Sequence, residues 1–156
     1  MLFRSLYLVA WGDDRNGGEY DIYGARVNLS GAVLDPGGFP ISSAKNLQFR
    51  QRIAWNNQDF FVVWRDCRGD PNNVMCDIFG ARVTPKGIVR DPNGIPISFG
   101  AASERQPVIA TDGSGYLVAW EDARNGLMDV YAARINSNGQ VLDPDGIAVC
   151  QANGEQ

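Results

Sequence analysis

The composition of this chain is that of one folded domain: of its 156 residues, 44% are hydrophobic and 21% are charged. A net charge of −4, with only two lysines among 14 basic residues, argues against nucleic-acid binding and against a basic membrane-binding surface. The absence of histidine excludes His-dependent catalytic triads and imidazole zinc sites. Fourteen Asp against four Glu, with 18 Gly and 8 Pro, favour turns over helices, so the sequence predicts an all-β fold.

Three repeats run along the chain, and each contains the same strand pattern. Residues 7–11 read YLVAW, residues 61–64 read FVVW and residues 116–120 read YLVAW, and an Asp and then an Arg follow each copy. The aligned tryptophans are 53 and 56 residues apart. A second strand pattern and an Asp-Pro turn follow in every copy, at residues 21–27, 77–83 and 129–135 and at 35–36, 91–92 and 143–144. Repeats of this length that hold several short strands are typical of β-propeller blades.

Each repeat is expected to form one four-stranded antiparallel sheet. In the third copy the predicted strands are residues 106–110, 116–120, 129–135 and 147–150. Residues 44–54 would also suit a helix, but the aligned stretch of the third repeat carries Gly100 and Pro107, which a helix interior accepts poorly. The chain is therefore predicted to be a single β-propeller segment, residues 1–156, with repeats of approximately 1–49, 50–105 and 106–156.

The first repeat starts one strand late. Ten residues before Trp64 lies Ala54, at the end of a predicted first strand, whereas the same count from Trp11 reaches Met1. The first blade is therefore expected to lack its innermost strand, and the chain stops before another such strand begins. Because unpaired strand edges invite pairing with another chain, we expect a fragment of a closed propeller, or a protomer that closes one by self-association through its exposed blade edges.

The repeat pattern also resembles known sequences. The run YLVAW-x-D-x-RNG followed by DIY-x-AR resembles repeats of large bacterial secreted and cell-surface proteins, and it is similar to the TolB-type six-bladed propeller repeat. The resemblance covers nearly the whole chain and implies a propeller fold. It brings no catalytic residue with it, because propellers host binding, scaffolding and catalysis alike.

The loops that follow the tryptophan strands are rich in oxygen ligands. Asp13, Asp66 and Asp122 lie in these loops and could bind calcium, a cation that collects carboxylates and carbonyls. An Arg within every loop would repel a cation, and the same Asp, Arg and Gly suit a tight hairpin turn. We interpret the loops as structural turns, with calcium as the one alternative cofactor.

Two aromatic residues are candidates for binding a carbohydrate or protein ligand. Aromatics that recur at one blade position, such as Trp11 and Tyr23, are expected to pack between blades. Trp55 is replaced by Thr111 in the third repeat, so the expectation of packing between blades does not extend to it. We therefore take Trp55 and Phe49 as the ligand candidates.

The cysteines bear on the cellular compartment. Cys67 and Cys76 occur only in the second repeat, whose loop after the tryptophan strand is the longest of the three. Because the two lie at the feet of one hairpin, we predict a disulfide, which persists in an oxidising compartment. The expected location is extracellular, at the cell surface or periplasmic, and no run approaches the roughly 20 apolar residues of a membrane-spanning helix, so no membrane insertion is expected.

The predicted function is a noncatalytic binding or scaffold module of a secreted or cell-surface bacterial protein. The alternative is the propeller part of an extracellular enzyme such as a glycosidase, whose carboxylates would line a funnel at the propeller axis. A bare spacer role is a third interpretation. Asp59 and Glu104 are the only blade-specific carboxylates found on a first strand or its loop, and they lie in different segments, so we predict no enzyme activity for the chain.

Overall fold

Every regular element in the described residues of the computed structural model, 6–100 and 102–152, is a β-strand. Within that part of the chain no helix is present that is long and apolar enough to cross a membrane. The all-β prediction is confirmed. In chain order the strands are β1 (Leu6–Asp13), β2 (Asp21–Asn28), β3 (Phe39–Ser42), β4 (Gln48–Trp55), β5 (Phe60–Asp66), β6 (Asp77–Val83), β7 (Ile95–Ser98), β8 (Glu104–Thr111), β9 (Tyr116–Asp122), β10 (Asp129–Ile135) and β11 (Ile147–Cys150).

The strands form three antiparallel sheets, one for each sequence repeat. The first sheet has the order β1-β2-β3, the second β4-β5-β6-β7 and the third β8-β9-β10-β11. The segment that also suited a helix is strand β4, as the repeat comparison predicts. Among the described residues, the first sheet has no counterpart of β4 and β8, so the open edge of β1 lies where the other two sheets carry a further strand.

The register of the central hairpin is the same in all three sheets. Tyr7 pairs with Val27, Phe60 with Val83 and Tyr116 with Ile135. This agreement follows from the period-2 pattern, because a slip of one residue would move every apolar side chain to the opposite face.

The first strands of the second and third sheets carry the same irregularity. In β4 the pairing with β5 shifts between Phe49 and Arg52, and in β8 the pairing with β9 shifts between Arg105 and Val108. Within these bulges Arg50 has φ 58° and the aligned Gln106 has φ 52°. A bulge of this kind turns side chains away from the alternating pattern of the strand.

Two apolar layers hold the three sheets in a stack. One cluster joins the first and second sheets, with the buried residues Leu8, Ile22, Ile41, Phe60, Val62, Trp64, Phe79, Ala81 and Val83. The other joins the second and third sheets, with Phe61, Val63, Ile78, Ile97, Tyr116, Val118, Trp120, Tyr131, Ala133 and Ile135. Both faces of the second sheet are therefore buried, and this sheet is the centre of the stack.

Gly80 lies where the central sheet is most tightly packed. A Cβ added at Gly80 would overlap the Phe61 ring and lie 3.0 Å from the Val62 carbonyl oxygen. The third repeat has Ala132 at this position and the smaller Leu117 at the position of Phe61. The glycine is therefore required by the neighbouring ring rather than by backbone conformation.

We expect Gly80→Ala to lower the free energy of unfolding by about 1–3 kcal/mol, because the extra methyl overpacks the core. Adding Phe61→Leu, as in the third repeat, should recover part of the loss relative to the sum of the two single changes. Chemical denaturation measures this, with Gly69→Ala as the control, since a Cβ there meets nothing within 4 Å. Equal stability of the Gly80 and Gly69 variants would contradict this packing.

Candidate functional site

The aspartates considered as calcium ligands lie in Trp–Asp–Arg clusters. In the second sheet the Trp64 indole donates to Asp66 at 2.7 Å. Arg68 donates to both carboxylate oxygens of Asp66, at 2.8 and 2.6 Å. Its remaining nitrogen donates to the Asn93 carbonyl at 2.6 Å, and the guanidinium lies 4.0 Å from the centre of the Phe79 ring.

The other two sheets repeat this cluster. In the first, Asp13 binds Trp11 and Arg15, and in the third Asp122 binds Trp120 and Arg124. Hydrogen bonds from Arg15 hold the pKa of Asp13 far below its usual range. The carboxylate oxygens already accept indole and guanidinium hydrogen bonds, which is the chemistry of a structural turn.

A second Arg–Asp pair recurs in every sheet. Arg26 holds Asp35, Arg82 holds Asp91 and Arg134 holds Asp143, each through two side-chain hydrogen bonds of 2.8 or 2.9 Å. In each pair the Arg backbone N–H also donates to the Asp. These pairs fix the turn before the fourth strand and are architectural.

The two aromatic ligand candidates lie on β4 but not at one site. Trp55 is half-buried, its ring centre 4.6 Å from that of Phe60, and it lines a cavity of about 590 Å³ between β1 and β4. Phe49 is six positions earlier, beneath the guanidinium of Arg65 at 5.2 Å. Six strand positions correspond to roughly 20 Å, so the two rings cannot contact one small ligand together.

The two blade-specific carboxylates considered as catalytic residues, Asp59 and Glu104, are also far apart. Asp59 follows the β4 strand end and is held by Arg90 at 2.8 Å, while its carbonyl accepts the Tyr116 hydroxyl at 2.8 Å. Glu104 begins β8, and Tyr116 pairs with Thr111 at the other end of that strand. The eight-residue strand between them spans roughly 20 Å, beyond the separation of paired glycosidase carboxylates.

Glu104 is a buried acid beside a cavity of about 540 Å³ that Ser98, Asp122 and other residues line. Its carboxyl accepts the Ser98 hydroxyl at 2.5 Å and the Ile78 backbone N–H at 3.1 Å. Burial raises the pKa of Glu104 to about 7, with nearby Asp122 and Asp77 adding to the rise. The second repeat has the uncharged Gln48 at this position.

Four arginines form a group that sequence reasoning missed. Seven arginines of the described chain form ion pairs with Asp, but Arg50, Arg52, Arg65 and Arg105 have no Asp or Glu within ion-pair distance there. They lie on β4, β5 and β8. The available signal was that none of the four positions is an Arg in another repeat.

The predicted disulfide is confirmed: Cys67 and Cys76 are bonded, both fully buried, with Cα atoms 4.2 Å apart. The bridge closes the long loop of the second repeat, nine residues apart in sequence. Cys150, the third cysteine, lies half-buried at the end of β11 and outside the bridge.

Comparison with known proteins finds no matching family model, no matching curated protein and no matching solved structure.

We expect the stability of the protein to fall between about pH 5 and pH 8 because of Glu104. Its pKa in the folded state is about 7, above the usual 4.5, so its stabilisation is full below the usual value and is lost as pH rises through 7. Glu104→Gln should remove this slope and leave the protein more stable than wild type at pH 8. Urea denaturation at several pH values measures it, and Glu121→Gln should follow the wild-type profile. If the stability of Glu104→Gln falls with rising pH as steeply as that of wild type, the pH dependence does not come from Glu104.

We expect one alkylated cysteine in denatured, unreduced protein and three after reduction, as intact mass would show. Replacing Cys67 and Cys76 with Ala should lower the free energy of unfolding by about 2–3 kcal/mol, the loop-closure contribution of a short loop. Cys150→Ala should leave the bridge intact, and three alkylated cysteines without reduction would disprove it.

Proposed function

We propose that the chain is a β-propeller segment that serves as a noncatalytic binding or scaffold module of a secreted or cell-surface bacterial protein. The observation that carries this proposal is the stacking of the three sheets, each packed face to face through repeat-equivalent side chains. Stacked four-stranded antiparallel sheets with a repeating interface are the building unit of a propeller.

Two outer faces of the stack support a role in assembly. On the first sheet Tyr7 is 61% exposed, whereas its equivalents Phe60 and Tyr116 are 8% and 4% exposed inside the stack. Val9 likewise is 48% exposed, although its equivalent Val62 is fully buried. This exposure supports a neighbouring sheet as the partner of this face.

The outer face of the third sheet is complementary to it. Leu117 is 44% exposed, while its equivalents Leu8 and Phe61 are buried. Val149 is 61% exposed, in contrast to its equivalent Ile97 at 3%. Within the stack, the face that carries Leu8 or Phe61 packs twice on the face of the next sheet that carries Phe60 or Tyr116. The outer face of the third sheet, with Leu117, therefore fits the outer face of the first sheet of a second copy, with Tyr7.

A head-to-tail pair of chains would hold six sheets, within the four to eight blades of known propellers. The two contacts of such a pair are equivalent and related by a twofold axis, as closed homo-oligomers usually are. An assembly role of this kind needs no catalytic residues. The Cys67–Cys76 disulfide supports an extracellular or periplasmic location for it.

We expect the purified chain to self-associate, with a light-scattering mass of at least twice the 17.0 kDa of one chain. Leu117→Glu should shift it to the monomer, because a charge on the outer face opposes stacking. Leu127→Glu is the matched control: this leucine is 50% exposed in a loop of the same sheet and should leave the mass unchanged. A monodisperse wild-type monomer with a cooperative thermal transition would contradict the proposal.

A further inference from the structure

The arginine cluster, defined as Arg50, Arg65 and Arg105, is not required by the architecture of the repeat. The structural arginines recur in all three sheets and hold an Asp there. By contrast, the equivalents of Arg50 and Arg105 are Gln106 and Phe49, and those of Arg65 are Gly12 and Glu121. A set of cations that breaks the repeat at three positions of adjoining strands indicates a role specific to this place.

Contacts between the second and third sheets bring the cluster together. Arg50 donates to the Gln106 side-chain oxygen at 3.0 Å, and both residues lie in the bulges of β4 and β8. Arg65 donates to the Ser103 hydroxyl at 3.0 Å, just before β8 begins. These bonds use neutral acceptors, so they leave the guanidinium charges uncompensated.

Among the described residues, Arg65 is the cluster member that has a buried nitrogen without a hydrogen-bond acceptor. Its Nε is buried and has no hydrogen-bond acceptor, although its guanidinium lies over the Phe49 ring. Burial lowers the pKa of Arg65, and the positive charges of Arg105 and Arg50 lower it further. Three guanidinium groups close enough to repel one another are stabilised when an anion lies among them.

Two carboxyl groups lie near the cluster and do not neutralise it. Glu121 is opposite Arg105 in the β8–β9 register but forms no ion pair with it within the described residues. Glu104 is buried and bonded to Ser98 and Ile78. The cluster therefore stays positive within a chain whose net charge is −4.

We propose that the arginine cluster binds an oxyanion group, of the carboxylate, sulfate or phosphate class, on a ligand of this module. Planar guanidinium groups suit this class because their paired N–H donors match two oxygens of one anion. Arg50 and Arg105 are exposed and present their charge to solvent, while the half-buried Arg65 adds a third positive charge beside them. The site is built from β4, β5 and β8 of a single chain, so it goes beyond the assembly proposed above and does not depend on it.

Calorimetric titration of the full chain with sodium sulfate, against sodium chloride at matched ionic strength, tests the proposal. Wild type should bind sulfate and show no such binding of chloride. Arg105→Gln and Arg50→Asn should each weaken the affinity about tenfold, the loss of one charged hydrogen bond. Asn is chosen at position 50 because it tolerates the positive φ of that residue.

Two control variants separate a site from general electrostatics. Lys86→Gln removes one exposed charge outside the cluster and should leave sulfate affinity unchanged. Arg65→Lys keeps the charge but removes the planar fork, and it should weaken binding as the other cluster variants do. An equal effect of Lys86→Gln and Arg105→Gln, or unchanged affinity in the cluster variants with an unchanged thermal transition, would overturn the proposal.

The source of the anion is resolved by a second pair of titrants. Oligogalacturonate carries carboxylates on a sugar, and a neutral oligosaccharide of equal length is its control. Binding of the acidic oligosaccharide with weak sulfate binding would assign the site to an acidic sugar, and the reverse would assign it to a small free anion. Absence of binding by both sulfate and oligogalacturonate would refute the proposal.

Discussion

The Trp–Asp–Arg cluster is the interaction on which each sheet depends. In the second sheet one carboxylate, Asp66, joins the indole of β5 to Arg68 in the following loop, and the guanidinium then reaches the Asn93 carbonyl in the turn before β7. The same Arg covers the Phe79 ring of β6. Four parts of one sheet are thereby held by a single charge pair. Its partners are all satisfied, which is the condition under which a buried ion pair is retained without a large desolvation cost.

The repeat explains how much could be predicted from the sequence. Each strand pattern occurs in two or three copies, and the residues 44–54 that also suit a helix contain most of strand β4, in agreement with Gly100 and Pro107 in the aligned stretch. The disulfide could be predicted because Cys67 and Cys76 lie at the two feet of a single hairpin, where proximity follows from local pairing. Features that depend only on neighbours in the chain, or on repetition, were therefore accessible.

The arginine cluster could not be predicted by the same reasoning. Arg50, Arg65 and Arg105 are distant in sequence and meet only because β4 pairs with β5 and the second sheet packs on the third. The bulges that redirect them were also hidden, since a positive φ is usually signalled by glycine and here falls on Arg50 and Gln106. The net charge of the whole chain is negative, so it gives no sign of a local excess of positive charge. Most arginines of the described residues are paired with Asp, and these outnumber the arginines that are not.

Comparison of the three repeats separates side chains that every sheet shares from side chains that are specific to one sheet. A side chain that recurs in every sheet, as Asp13, Asp66 and Asp122 do, serves a requirement that every sheet shares. Some side chains differ between sheets but are equally buried, as Gln48 and Glu104 are. Such a difference changes the ionisable group at the position and leaves the packing in place. The outer faces form the third class. Tyr7 and Leu117 are large hydrophobic residues like their buried equivalents in the other sheets, yet they are exposed. Burying an apolar side chain of that size stabilises by about 1.5–3 kcal/mol, so the stacking proposed above would gain free energy at these two faces.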